Sequence, residues 1–278
     1  MESAFRRTIT MLRAEAVSFG YRNDESTFSL DDVSVEIAPG SLTGLLGPNG
    51  CGKTTLLKLL CGLLAPQRGT VTLAARTFEG PRSIASLSRR ELARHIALVP
   101  QETHPAFEYS VMEMVLMGRH PHLARFQLEG PADFTIAHDA LAATGTDHLA
   151  GRNYMTLSGG EKQRVIIAGA LAQQTEILLL DEPTASLDLG YQLEIAALLA
   201  QLNRERRETL VLATHDLNLA ASICDRLIVM RAGRVLAQGP TTDVLTAAMV
   251  RQLYDVDADV QRHERAGHLT VLPVRRVR

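Results

Sequence analysis

Two stretches of this chain carry residue types and spacings that could hold a polyphosphate. The first, Gly47-Pro48-Asn49-Gly50-Cys51-Gly52-Lys53-Thr54, fits G-x-x-x-x-G-K-[ST] and continues into Thr55. Glycines let successive backbone N–H groups close around phosphate oxygens, Lys53 reaches the β- and γ-phosphates, and the Thr54 hydroxyl suits Mg²⁺. A chance match in a chain of this length is on the order of 1%. A plain Gly-rich turn is therefore the weaker reading, and the stretch is read as a nucleotide site. The second, Leu157-Ser158-Gly159-Gly160-Glu161-Lys162-Gln163-Arg164, is locally a capping box: Ser158 at the N-cap, Glu161 three residues on, then an apolar helical run over 165–171. Gly159 and Gly160 leave N–H groups uncovered at the positive end of that helix, which suits an anion. Alone, such a segment only starts a helix; the phosphate loop upstream gives it a second meaning.

The remaining chemistry stands at the ends of apolar runs. Residues 177–180 lead into Asp181 and Glu182. In an open α/β sheet the C-terminal strand edge is where ligands bind. There Asp181 can hold Mg²⁺ through water, and Glu182 can polarise a water for in-line attack on a γ-phosphate. His215 ends the run 210–214, and Gln101 follows 96–99 and Pro100. A histidine after a strand is often structural, but one at this edge can also touch the γ-phosphate. A neutral amide such as Gln101 can sense Mg²⁺ and the attacking water without adding charge, or can simply be a loop residue.

The elements needed to position these groups are legible in outline. Residues 12–37 alternate apolar and polar with turn-formers at Gly20 and Arg22-Asn23-Asp24, which predicts short antiparallel strands. Pro39-Gly40 is a turn before a buried strand over 42–46, and a helix follows Lys53, ending near Gly62. A further hairpin is expected over 70–75, a helix over 88–94 and a strand over 96–99. From 102 to about 160 the pattern becomes helix and loop, with the clearer helices at 111–118 and 134–144. Strands then return at 177–180 and 210–213, and as a hairpin around Ala232-Gly233. This predicts an α/β fold: a P-loop NTPase core with a mostly parallel sheet, an antiparallel β subdomain and an inserted helical subdomain.

Composition limits the partners. The 278 residues are 46% hydrophobic with a formal charge of −2, which gives no general attraction to nucleic acid or anionic lipid. No apolar run approaches the roughly 18 to 20 residues that span a bilayer. Residues 1–10 hold Arg6 and Arg7 without an apolar core, so no signal peptide is expected. The scattered Cys51, Cys61 and Cys224 suit a reducing compartment. The Cys51 thiol either fills space or makes the loop sensitive to oxidation. His120 and His122 flank a proline without further ligands at suitable spacing, so no metal site is expected there. Arg275, Arg276 and Arg278 read as a solvated basic end.

Taken together, residues 47–54, Gln101, 157–164, 177–182, Ala185-Ser186-Leu187-Asp188 and His215 occur in the order and spacing of an ABC transporter ATP-binding cassette, which the chain resembles from about residue 12 to 260. The resemblance implies ATP and Mg²⁺ as ligands, with Thr54, Gln101 and Asp181 around the metal. It makes Gln101 the Q-loop glutamine, Asp188 part of the D-loop, His215 the switch histidine and Tyr21 the aromatic that stacks on adenine. It implies a cassette over 12–258, a C-terminal tail over 259–278, and Met11 as an alternative start. One phosphate loop and one Ser158-Gly159-Gly160 segment per chain imply a homodimer with two composite ATP sites. Docking would be on separate polytopic permease subunits through the helical insert, at the cytoplasmic face of the membrane. A substrate-binding protein acts indirectly, and no nucleic acid is expected. Residues 87–94, 117–123 and 268–273 resemble the cassettes of iron–siderophore, haem and cobalamin importers. The alternatives are another cargo, or a soluble cassette protein acting on DNA or ribosomes. The second lacks a coiled-coil arm, a second cassette and a basic surface in this sequence.

Overall fold

The computed structural model describes residues 11–21 and 29–277. The turn expected at Arg22-Asn23-Asp24, residues 1–10 and Arg278 lie outside the described residues. In chain order the strands and helices are β1 (Met11–Gly20), β2 (Ser29–Ile37), β3 (Leu42–Leu46), α1 (Lys53–Leu60), β4 (Arg68–Ala74), β5 (Arg82–Ser83), α2 (Arg89–Leu92) and β6 (Ile96–Val99). The insert carries α3 (Val111–Leu116), α4 (Pro131–Ala143) and α5 (Gly159–Ala172). Then follow β7 (Ile177–Asp181), α6 (Leu189–Arg206), β8 (Thr209–Thr214), α7 (Leu217–Ile223), β9 (Arg226–Arg231), β10 (Arg234–Pro240), α8 (Thr241–Val244), α9 (Ala247–Tyr254), β11 (Val256–Arg262) and β12 (Leu269–Arg276).

The central sheet has the order β10-β9-β3-β8-β7-β6 and is parallel except for β10. Its middle strands are apolar along their length because both faces are covered. Along β7, Ile177 and Leu179 enter one core while Leu178 and Leu180 enter the other; Val211 and Leu212 of β8 divide in the same way. Pairing of Leu46 with Thr214, and of Asp181 with Ala213, brings the ends of β3, β8 and β7 to one edge. A second, antiparallel sheet, β2-β1-β4-β5, lies over α1. Leu56, Leu57, Leu59 and Leu60 of that helix are all buried, packed between Leu12, Val33 and Val71 of one sheet and Val211 and Met230 of the other.

The helical insert has a core of its own, built from residues such as Val115, Leu141, Tyr154 and Leu157 against Val165 and Ala168 of α5. Gly118, in the turn after α3, approaches α5 so closely that a Cβ would stand 2.1 Å from the Gly169 carbonyl oxygen. The next residue, Arg119, is buried and cross-links the insert. Its Nε donates to Asp133 Oδ1 at 3.0 Å, and its Nη1 donates to the carbonyl of Ala172 at 2.7 Å and to Gln174 Oε1 at 3.0 Å. The Gly130 N–H, and then this guanidinium, hold the Asp133 carboxyl below the usual carboxylate range.

Several elements differ from the sequence reading. The helix expected from 134 begins at Pro131, since proline suits the first helical turn, where no intrahelical N–H bond is lost. No hairpin closes within 70–75; residues 70–74 belong to β4, which pairs antiparallel with β1 on one side and β5 on the other. Much of the stretch expected as a C-terminal tail is strand: β11 and β12 pair antiparallel, with Ala258 and Val271 buried in the core behind the central sheet. No helix among the described residues is long and apolar enough to cross a membrane.

Arg119→Ala should destabilise the chain by about 3 kcal/mol, because it leaves a buried carboxylate without its counter-ion. Urea unfolding would measure this, and a loss under about 1 kcal/mol would show that the pair is not a structural tie.

Candidate nucleotide site

The phosphate loop leaves β3 and enters α1 through backbone that glycine favours. Gly50 stands at φ 77° and Gly52, the N-cap, at φ 109°. A Cβ at Gly47 would lie 2.3 Å from the Met230 carbonyl oxygen, so the start of the loop rests on the end of β9. From the β9–β10 turn, the Gly233 N–H donates to the Cys51 carbonyl at 3.1 Å. Cys51 itself is buried, and burial pushes its thiol up despite the nearby Lys53. That environment suits a small space-filling side chain rather than a reactive thiolate.

Lys53 is only 5% exposed. Its Nζ donates to the carbonyl oxygens of Gly47 at 2.8 Å and Pro48 at 3.3 Å, and stands 3.2 Å from Glu182 Oε1. A buried ammonium needs such partners, because an unpaired one would cost several kcal/mol. The other oxygen of Glu182 lies 3.1 Å from His215 Nδ1. The three residues thus form a chain of contacts from the start of α1 across the ends of β7 and β8. Glu182 adopts φ 47°, and its N–H donates to the Ala213 carbonyl at 3.0 Å, so the left-handed backbone is fixed from β8. Beside it, Thr54 Oγ1 donates to Asp181 Oδ1 at 3.0 Å. Burial raises the Asp181 carboxyl, an effect opposed by the Thr54 bond and reinforced by Glu182.

A cleft of about 520 Å³ opens over these groups, lined by residues including Tyr21, Asn49, Gly50, Gly52, Thr55 and Gln101. The Tyr21 hydroxyl is 3.3 Å from Thr55 Oγ1, and its ring meets Phe19 edge-on at 5.0 Å. Tyr21 is 42% exposed where it lines the cleft.

Ser158, Gly159, Gly160 and Asp188 are not among the described residues lining that cleft. Ser158 forms the expected capping box: its N–H and hydroxyl donate to Glu161 Oε2 at 2.8 Å each, and the Glu161 N–H donates back to its Oγ at 3.3 Å. The Ser158 N–H, and then its hydroxyl, hold the Glu161 carboxyl below its ordinary value. Asp188 caps α6 by accepting the Tyr191 N–H at 3.0 Å. The two helix starts touch, since a Cβ at Gly160 would fall 2.3 Å from the Tyr191 ring. Sequence reasoning missed Tyr191, whose only signal was its place three residues after an N-cap aspartate. It also missed Tyr254, whose hydroxyl donates to the His215 carbonyl at 3.0 Å and whose position carries no local motif. His122, considered for metal, has Nε2 2.8 Å from the Gln173 carbonyl oxygen.

Comparison with known proteins bears on this geometry. A family model described as ABC transporter matches residues 30–185. The ferric enterobactin transport ATP-binding protein of Escherichia coli is 38% identical over 269 residues, covering 97% of this chain and 96% of that protein. A hemin import ATP-binding protein of Bordetella pertussis is 43% identical over 252 residues, covering 87% and 93%. A cobalamin import ATP-binding protein of Halobacterium salinarum is 42% identical over 245 residues, covering 88% of this chain; the chain spans 60% of that longer relative. Among solved structures, a cassette from Clostridium perfringens that is part of a larger transporter complex superposes with a TM-score of 0.71 at 32% identity, covering 87% of this chain and 92% of its own. A dimeric ATP-binding cassette in a post-hydrolysis state bound to ADP and Pi gives 0.69 at 28%, covering 83% and 98%. With the family model spanning more than half of the chain and a relative matched almost end to end, this chain belongs to the ABC transporter family, among its ATP-binding cassettes.

Proposed function

We propose that this chain binds ATP with Mg²⁺ and hydrolyses it as the ATPase subunit of an importer for an iron chelate, haem or cobalamin. The observation that carries this is the run of contacts from Lys53 through Glu182 to His215, with Thr54 on Asp181 beside it. The site fits a magnesium ion: Thr54 and Asp181 already bring a hydroxyl and a carboxylate together, and Gln101 adds an amide oxygen on the cleft wall. Those three residues would hold the ion, which when bound neutralises charge on the β- and γ-phosphates.

The protein groups divide the rest of the work. Loop N–H groups of residues 47–54 take phosphate oxygens at the start of α1, and Lys53 exchanges its carbonyl and carboxylate partners for the β- and γ-phosphates. Glu182, released from Lys53, orients the attacking water, while His215 contacts the γ-phosphate from the neighbouring strand end. Tyr21 stacks on adenine. Stabilisation is electrostatic and positional rather than covalent.

Ser158, Gly159, Gly160 and Asp188 complete the site of a facing copy, so the active form is a head-to-tail homodimer with two shared ATP sites. Support comes from their position away from this chain's own cleft and from the dimeric cassette of similar fold. Loss of the γ-phosphate then loosens the two halves. The cassette is assigned to 12–258, followed by a C-terminal segment over 259–278 that carries most of β11 and all of β12. The helical insert near 102–160, where Phe107 is 71% exposed, is the docking surface for polytopic permease subunits. The chain would work peripherally on the cytoplasmic face of the membrane, with a substrate-binding protein delivering cargo to the permease. The cargo class rests on the names of the ferric enterobactin, hemin and cobalamin relatives.

Glu182→Gln should leave ATP binding intact, trap a dimer on gel filtration with ATP, and lower kcat by about 10²-fold or more. Near-normal hydrolysis in that variant would remove Glu182 from its role. Ser158→Arg should abolish hydrolysis while nucleotide binding by the monomer is unchanged; loss of binding would indicate a site complete within one chain. Affinity purification of the native subunit from membranes should recover many-helix permease partners, and recovery of ribosomes or DNA alone would overturn the transporter reading.

A further inference from the structure

The loop that carries His215 is tied from behind by residues outside the nucleotide motifs. Tyr254, the last residue of α9, donates its hydroxyl to the His215 carbonyl at 3.0 Å. Three residues past His215, Asn218 meets β12 with both ends of its amide. Its Oδ1 accepts the Val271 N–H at 2.8 Å and its Nδ2 donates to the Val271 carbonyl at 3.2 Å, as a neighbouring strand would. Between them Asp216 caps α7, accepting the N–H groups of Asn218 and Leu219 at 2.8 and 3.0 Å.

The anchor points are themselves fixed. Val271 is buried in the core behind the central sheet. The end of α9 is moored to β9, where Arg231 pairs with Asp255 at 2.7 Å and donates to the Gln252 carbonyl. The Val277 N–H donates to the Asp255 carbonyl at 2.7 Å. Burial, and then nearby charge including that of Asp216 and Glu182, pushes the Tyr254 phenol well above its ordinary value, so it remains a donor.

The His215 side chain, by contrast, is half exposed, and among the described residues Glu182 is the polar partner of its ring. Little around the ring holds it, so its position follows from the backbone that carries it. We propose that Tyr254 is a positioning residue for hydrolysis: with the Asn218–Val271 clasp it holds the His215 backbone so that the imidazole stays against Glu182. This makes the paired C-terminal strands part of the catalytic apparatus. The inference rests on the roles assigned above to Glu182 and His215.

Tyr254→Phe keeps the ring and removes the donor, and Asn218→Ala opens the clasp from the other side. In the full chain with its permease, each should lower kcat about fivefold, the scale of one lost hydrogen bond, with KM for ATP unchanged. Tyr254→Phe should add nothing to His215→Ala in a double-mutant cycle. In the isolated chain, ring NMR signals of His215 should shift or broaden in Tyr254→Phe while those of the other eight histidines stay in place. An unchanged kcat, a change in KM alone, or full additivity with His215→Ala would overturn the proposal, as would an unmoved His215 signal. If His215→Ala itself hydrolyses ATP normally while its ring signals still respond to Tyr254→Phe, the assigned role of His215 fails and the mechanical link stands.

Discussion

Burial of most of α1 between two sheets is the constraint on which the site depends. A helix with Leu56, Leu57, Leu59 and Leu60 enclosed between two sheets cannot roll or slide without exposing apolar surface on one of them. Each such leucine contributes roughly 1.5 to 3 kcal/mol by leaving water. The N-terminus of that helix is therefore a fixed point, and the phosphate loop is a short tether between it and the end of β3. Gly47 against β9 leaves no room for a side chain, and Gly52 at φ 109° holds backbone that glycine favours.

From that fixed point the parallel register does the rest. Strands that begin in step end in step, so Asp181, Glu182 and His215 arrive beside the loop without long connections. The helical insert is built differently. Its apolar residues form a separate cluster, joined to the main body through α5 and its partly buried Ile166 and Leu171. Ser158 thus sits at the junction of two packed bodies, exposed together with Gly159 while Gly160 is buried against Tyr191.

The phosphate loop, the carboxylates after β7 and the capping box at Ser158 were legible because each is a local pattern. Residue type and spacing within a few positions determine the backbone geometry in all three. Pairings that join distant segments left no such mark. Nothing near Arg119 announces Asp133, nothing near Gly160 announces Tyr191, and Val271 reveals Asn218 only once β12 is folded onto α7. Residues 70–74 have strand composition, but the distant β1 and the short β5, rather than a turn within 70–75, complete their hydrogen bonds. The basic residues near the end of the chain suggested solvent, and one buried residue in each strand, Ala258 and Val271, left little pattern to reveal the pairing of β12 with β11.

Lys53 already has two carbonyl oxygens and a carboxylate around its ammonium group. The loop therefore does not depend on a ligand to keep that cation solvated. Any arriving phosphate competes with ligands the protein supplies to itself, which lowers the net gain on binding. The same ligands receive the lysine again when the product leaves. A site arranged in this way is suited to fast exchange rather than tight storage.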